Sequence, residues 1–296
     1  MEEQAYEHKK IWHDKYYKKL LLIPLALLIF SFVYIGVFYS QHHDIMLKDI
    51  SLTGGTSITL NDNLINTGNL KIFLQDKLED MSIKEISDLV TGEKVAVIIE
   101  TKTDAETAKT ILEEYLNYDL TEENSSMEFT GSSLSSSFYK QLLIALLVSF
   151  VFMSIVVFIL FKTAVPSGAV ILSAFADILM TLVAVNILGI KMSTAGIISL
   201  LMLIGYSVDT DILLTNRLLR RHEGTVNERI SGAFKTGITM TLTSLVAVAV
   251  AFFVVKSFSS VLSQIFTILI IGLIFDMFNT WVTNVSILKW HLERKK

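Results

Sequence analysis

The stretch TAGIISLLMLIGYSVDTDILL, residues Thr194–Leu214, decides what kind of molecule this chain is. It is long enough to cross a bilayer as a helix, which takes about 20 mainly apolar residues. Yet it carries two carboxylates, Asp209 and Asp211. An ionised side chain at membrane depth costs about 3 kcal/mol or more, so such groups face a bundle interior or a wet cavity. There they serve ion or proton paths, or act as hydrogen-bonding glue between helices.

Working outward, apolar runs of similar length recur at about 20–39, 141–161, 164–188, 237–255 and 261–288. With 194–214 they predict an α-helical membrane protein of six transmembrane helices, and they exclude a soluble globular chain. The last run is long enough to tilt or to project from the membrane. A polar tail, residues 1–19, precedes the first run, and Tyr39-Ser40-Gln41-His42 follows it without a small-x-small cleavage pattern. The run therefore reads as an uncleaved anchor rather than a signal peptide. With no cysteine, disulfides, thiol catalysis and Cys-ligated metal are excluded.

The loops set the orientation. Lys9, Lys10, Lys15, Lys18 and Lys19 precede the first span, where Trp12 and Tyr16 suit the headgroup region. Arg217, Arg220, Arg221, Arg229 and Lys235 lie between spans 4 and 5, and Lys289, Arg294, Lys295 and Lys296 close the chain. All three groups fall on one side, so both termini, including the tail 291–296, are expected in the cytoplasm. Residues 40–138 are then extracytoplasmic. That block is strongly acidic, with eighteen Asp and Glu against seven Lys.

Its pattern predicts strand 45–50, a glycine turn, strand 56–60, helix 69–78, strand 82–90, strand 94–100, helix 104–117 and strand 126–129. Apart from the first strand this is β-α-β-β-α-β, an α+β ferredoxin-like domain inserted between helices 1 and 2. A five-helix transmembrane domain, 139–290, follows it.

Residues two apart on a helix point about 200° from each other, so Asp209 and Asp211 cannot share a face. Asp209 shares a stripe with Gly205, Asn216 and Arg220; Asp211 shares one with Ile204, Ser207 and Thr215. The small and polar company favours Asp209 as the inward-facing group, with local unwinding at Gly205 a further option. Asp177 lies over Ser173, Ala174, Thr181 and Ala184, a face suited to close helix contact. Asp276 lies with Gly272, Asn279, Thr280 and Thr283, and span 5 is rich in hydroxyls. Acids on three helices suggest a proton or sodium relay. A carboxyl group that loses water holds its proton more tightly and releases it when rewetted. Lys235 at the mouth of span 5 is a candidate counter-charge, or simply a cytoplasmic-side residue.

Other chemistries fit less well. An intramembrane aspartyl protease would bring a Gly-x-Gly-Asp element, which is missing. No Gly-x4-Gly-Lys-Ser/Thr phosphate loop exists, so the chain does not drive itself with ATP. His42-His43-Asp44 has no fourth ligand nearby in sequence and reads as a solvated linker rather than a metal site. No cofactor is expected. Basic residues are juxtamembrane only, which argues against nucleic acid and for the lipid bilayer as their partner.

Three motifs then carry a resemblance that covers nearly the whole chain: Leu52-Thr53-Gly54-Gly55-Thr56; Gly205-Tyr206-Ser207-Val208 with the acids and Asn216-Arg217 after it; and Lys235-Thr236-Gly237-Ile238-Thr239-Met240-Thr241-Leu242-Thr243. In these the sequence resembles the SecF family of protein-export subunits, in its archaeal branch. The bacterial pattern, Gly-Tyr-Ser-x-Asn-Asp-Thr, would place its acid at Thr210, between Asp209 and Asp211. It has an acid where this chain has Ser51, and an Arg important for proton flow at or near Lys235. The resemblance implies a SecD-like partner and a SecY-type channel. It also implies a translocating preprotein as cargo and an ion gradient rather than ATP as the drive. It further implies half of a resistance-nodulation-division architecture, completed by a second subunit. The alternatives are half of a small-molecule or lipid exporter of that superfamily, and a passive assembly factor.

Overall fold

The computed structural model describes residues 17–88, 90–220 and 224–294. Lys9, Lys10, Trp12, Lys15, Tyr16, Arg221, Lys295 and Lys296, which entered the orientation argument, lie outside the described residues. Among the described residues six helical stretches are long and apolar enough to cross a membrane.

The first is α1 (Leu22–His42), which ends where His43 turns left-handed at φ 54° and returns its N–H to the carbonyl of Tyr39. After a short helix α2 (Ile50–Thr53) the chain enters the polar domain, which consists of β1 (Gly55–Leu60), α3 (Thr67–Leu74), β2 (Ser82–Ser87), β3 (Lys94–Thr101), α4 (Ala105–Leu116) and β4 (Ser125–Thr130). The remaining spans are α5 (Ser132–Phe161), α6 (Ala164–Ile187), α7 (Thr194–Arg220), α8 (Val226–Val255) and α9 (Ser260–Phe278). A π-helical turn (Asn279–Asn284) carries α9 into α10 (Val285–Arg294).

Several helices overrun the apolar windows. α5 begins at Ser132 rather than near 141, α7 runs to Arg220, and α8 starts at Val226 under a capping box between Thr225 and Glu228. Apolar windows see the lipid-buried part only; good caps and helix formers carry the helix on into polar sequence. Within the bundle α6 and α7 are buried along most of their length, whereas little of α1, α5 or α8 is fully buried.

The sheet is antiparallel throughout, in the order β2-β3-β1-β4. Alternation puts Ile58, Leu60, Val97 and Ile99 on one face, where Leu70 and Leu74 of α3 and Ala108 and Leu112 of α4 close the core. This is the expected ferredoxin-like arrangement, with one difference. The strand expected at 45–50 does not join the sheet. Its backbone pairs instead with the α6–α7 loop: Asp49 N–H donates to the Met192 carbonyl at 2.9 Å, and Met192 N–H donates to the Leu47 carbonyl at 2.7 Å. Asn186 completes the strap, its Nδ2 donating to the Ile45 carbonyl at 2.9 Å. Met46 packs into the bundle with Leu182, Val185 and Met192, so the apolar signal of this segment belonged to the membrane domain.

Two glycines make the turn into β1. Gly54 has φ 83°, and a Cβ there would sit 2.5 Å from the Ser132 Cα. A Cβ on Gly55 would sit 2.3 Å from the Thr101 carbonyl oxygen. The pair therefore lets the ingoing chain pass against the start of α5.

The sheet's uncovered face looks onto the domain-proximal ends of α7 and α9 across a cavity of about 830 Å³. Lys84 pairs there with Glu100 at 2.7 Å. Burial, and then the neighbouring Asp49, hold the Glu100 carboxyl above its ordinary value despite that lysine. His42 stacks on Phe38 with 4.2 Å between ring centroids, while Asp44 is engaged by Lys48 at 2.6 Å and by Tyr139.

Candidate functional site

The bundle interior is polar at one level. Asp177 on α6, Asp211 on α7 and Asp276 on α9 are all buried, at 1% exposure or less. Ser207 donates to Asp177 at 2.5 Å, and Asn279 donates to its other oxygen at 2.7 Å. Asp211 accepts from Thr280 and from Asn284, both at 2.8 Å. Thr210 faces Asp276 at 3.3 Å. Thr280 reaches Asp276 as well, at 3.4 Å, so one hydroxyl bridges two of the carboxyls. Among the described residues, the side chains that hydrogen-bond the three are hydroxyls and amides on a neighbouring helix or one turn away.

Helical phase explains the convergence. Ser207, Asp211 and Thr215 follow one another at intervals of four on the buried side of α7. From Asp276 the chain reaches Thr280 in four residues, and the π turn then widens the helix by a residue so that Asn284 also faces inward. π turns of this kind are frequent at functional sites.

The expectation for Asp209 is corrected. Asp209 lies on the exposed side of α7, with Ile198, Met202 and Tyr206, and lines a shallow groove with Asn216, Arg217 and Arg220. Asp211 is the inward acid. Gly205 suggested a close inward contact, but nothing lies within 4 Å of where its Cβ would be. The hydroxyl company of Asp211 was the better guide. α7 is helical through Gly205, without local unwinding.

Lys235 is exposed, and none of the hydrogen bonds or ion pairs described for the three acids involves it. Thr239 and Thr243 return their hydroxyls to carbonyls of their own helix, so span 5 does not line the site with them. Arg217 ties α7 to α8, donating to the Gly232 carbonyl and to Thr236 at 2.9 Å. Gly54 and Gly55 lie at the entry to the inserted α+β domain, far along the chain from the acids. Thr210, where the bacterial pattern has an acid, is buried and faces Asp276.

Sequence reasoning missed Asn284. Its signal was the run Asn279-Thr280-Trp281-Val282-Thr283-Asn284, polar at four of six positions inside an apolar segment.

The fold and the site define a multi-pass membrane protein with an inserted α+β domain and a buried carboxyl cluster shared by three helices. The family model described as Protein export membrane protein SecD/SecF, C-terminal, matches residues 109–294. The protein-export membrane protein SecF of Methanocaldococcus jannaschii is 41% identical over 285 residues, covering 94% of this chain and 96% of that protein. The SecF of Methanothermobacter thermautotrophicus is 38% identical over 282 residues, covering 94% of each. The chain belongs to the SecD/SecF family of protein-export membrane proteins. In fold it is similar to the crystal structure of SecDF, a translocon-associated membrane protein from Thermus thermophilus, with a TM-score of 0.73 at 17% identity. That match covers 96% of this chain and 39% of the SecDF chain, so the present chain spans well under half of that molecule. SecDF in its super-membrane-facing form gives a TM-score of 0.61 at 20% identity, covering 95% of this chain and 39% of that one.

Proposed function

We propose that this chain acts as the SecF-like half of a two-part export auxiliary driven by the ion-motive force. It works with a SecD-like subunit at a SecY-type channel on a translocating preprotein. The observation that carries the reading is the cluster of Asp177, Asp211 and Asp276, buried on three helices and bridged by Thr280. Carboxyl groups on separate helices, held by donors that can exchange partners, can take up and release a cation as the helices shift. The proton or sodium ion is the coupling species, and the role is transport rather than catalysis.

The exposed face of α7 supports a partner. Asp209 there is too costly to leave against lipid, and Gly205 beside it leaves room for a second helix. A SecD-like subunit covers this face. Arg217, Arg220 and Arg294 gather at one end of the spans and the acidic domain stands at the other, which supports cytoplasmic termini and an extracytoplasmic domain.

The test is export of an unfolded polypeptide by vesicles holding this chain, its SecD-like partner and the SecY-type channel, with and without an imposed proton or sodium gradient. Gradient stimulation is expected in wild type and in Thr243→Val, and lost in Asp211→Asn with the complex intact. Stimulation that survives in Asp177→Asn, Asp211→Asn and Asp276→Asn alike would make the acids helix glue and the chain a passive assembly factor.

A further inference from the structure

The inserted domain touches the bundle at a place well away from its stem. At the end of β2, Ser87 donates its N–H to the carbonyl of Ser257 at 2.6 Å. Ser257 belongs to the short connection between α8, which ends at Val255, and α9, which begins at Ser260. Both helices are long and apolar enough to cross a membrane. A connection limited to residues 256–259 cannot rise far above the bilayer. Exposed apolar side chains run right up to it, Phe253 and Val254 on one side and Val261 and Leu262 on the other. Lys256 lies over the Phe253 ring, 5.1 Å from its centroid. Aromatic and basic groups of this kind gather at headgroup level. Ser257 therefore sits at the membrane surface on the domain's side.

From Ser87 the β2–β3 turn reaches Val90 in three residues, at most about 10 Å of extended chain. The headgroup layer is about 5–8 Å deep on each side of the hydrocarbon core, so the turn lies within reach of it. Val90 is 91% exposed, and Phe258, next to Ser257, is 42% exposed. Two open apolar side chains thus flank one hydrogen bond at the membrane surface.

The turn is also suited to a layer where water is scarce. Asp88 Oδ1 accepts from the N–H groups of Val90 and Thr91 at 2.8 and 2.9 Å and from the Thr91 hydroxyl at 3.2 Å. Asp88 N–H donates to the Glu93 carbonyl at 2.8 Å, and Gly92 N–H to the Asp88 carbonyl at 3.0 Å. Glu93 N–H donates to the Thr91 hydroxyl at 3.3 Å. These backbone donors are satisfied within the turn, so little is lost when water leaves.

We infer that the β2–β3 turn is a membrane anchor, with Val90 and Phe258 inserted into the phospholipid headgroup layer on the domain's side. The Ser87–Ser257 bond holds the turn at that level. The bilayer is the natural cover, because the exposed flanks of α8 and α9 that lead up to the site are continuous with it. The inference needs only the membrane-spanning helices and is independent of the relay.

Ile72 on α3 supplies the contrast. It is 74% exposed, but α3 packs on the face of the sheet turned away from the bundle.

The chain has no cysteine, so one introduced thiol carries a label to one position. Val90→Cys and Ile72→Cys, each bearing a nitrobenzoxadiazole fluorophore, would be made in the full chain and reconstituted in phosphatidylcholine vesicles. Two quenchers would be compared: a phosphatidylcholine with a nitroxide high on its acyl chain, and soluble iodide. The label at 90 is expected to be quenched about threefold more by the lipid, and about threefold less by iodide, than the label at 72. Equal quenching at the two positions would overturn the inference. So would lipid quenching at 90 that vanishes when a SecD-like subunit is added, because the surface would then belong to that subunit.

A second readout leaves the turn unlabelled. Glu93 is exposed, and a Glu-specific protease cuts after it. In vesicles Val90→Asp should be cut at Glu93 about threefold or more faster than wild type, and Val90→Leu and Ile72→Asp no faster. Val90 and Ile72 are exposed, so none of these changes disturbs the core. Cleavage of Val90→Asp at the wild-type rate would overturn the proposal.

Discussion

Leu203 is seated against Gly272 so closely that a Cβ on that glycine would lie 2.5 Å from the leucine's Cδ2 and 3.1 Å from its Cγ. Leu203 is itself fully buried and has nowhere to swing. Gly272→Ala should therefore push α7 and α9 apart and destabilise the bundle by about 1–3 kcal/mol, the usual range for overpacking. Thermal unfolding in detergent reads the loss. Adding Leu203→Ala to Gly272→Ala should return part of it, because the second change opens the space the first one fills. A double variant less stable than the sum of the two singles would contradict this packing.

Ser207 is one of the two side-chain donors that meet Asp177 from other helices. Removing its hydroxyl leaves a buried carboxyl oxygen short of a partner, which costs about 1–3 kcal/mol. Ser207→Ala should lower the unfolding midpoint by a corresponding amount, and Ser207→Thr should cost less if its hydroxyl can be retained. A midpoint unchanged in Ser207→Ala would mean that the Ser207–Asp177 contact contributes nothing to stability.

The gross fold was legible because each level of the sequence agreed. Apolar runs located the spans, and alternating residues around Gly92 marked the β2–β3 hairpin. The site was legible only in part. Asp177 and Asp276 each had a helix to themselves, so burial followed from membrane physics alone. Asp209 and Asp211 competed on one helix, and choosing between them required knowing which side of α7 the other helices cover. Because α6, α8 and α9 all pack on α7, its buried face is broad, and small size at Gly205 did not identify it. The π turn was beyond reach for a different reason. A one-residue widening has no periodicity of its own, and it alone turns Asn284 toward Asp211. The segment 45–50 misled because its alternation is genuine while its partner, the α6–α7 loop, is about 140 residues away.

Gly54 occupies a backbone conformation that side chains rarely adopt and touches the backbone of Ser132. Neither the φ of 83° nor a main-chain neighbour can yield cheaply. Gly54→Ala should cost about 1 kcal/mol or more and loosen the junction between α2 and α5. Limited proteolysis between residues 43 and 54 is the measurement; cleavage as slow as in wild type would sink the idea.

Asp80, in the turn before β2, holds Lys102 at 2.8 Å and also Lys191 of the α6–α7 loop. Burial works to raise its carboxyl, but the two lysines outweigh it and keep it below the ordinary value of 3.8. A carboxyl lowered in the native state binds fewer protons there than in the unfolded chain. Its contribution is thus complete above 3.8 and lost as pH falls through the lower native value. Pepsin cleavage in the loop 188–193 should accelerate only in that acid range. Lys191→Met should flatten this acid dependence, and an equally steep profile in that variant would assign it to another group.

Asp209 is exposed in the single chain, so Asp209→Leu should leave the unfolding midpoint of the isolated protein within about 0.5 kcal/mol of wild type. On the proposed interface the same change should reduce co-purification with the SecD-like subunit, because the partner's group facing position 209 then loses the carboxylate it meets. Full co-purification would place the partner on another face.

The close approach of Gly54 to Ser132 means that the polypeptide leaves the bundle and returns to it at almost the same point. The covalent path of everything between those residues passes through one pinched stem, so its length makes no demand on how far apart the flanking helices stand. The acidic domain is in that sense interchangeable. A change in the length of chain between Gly54 and Ser132 would alter the domain without altering the spacing of the helices that flank it.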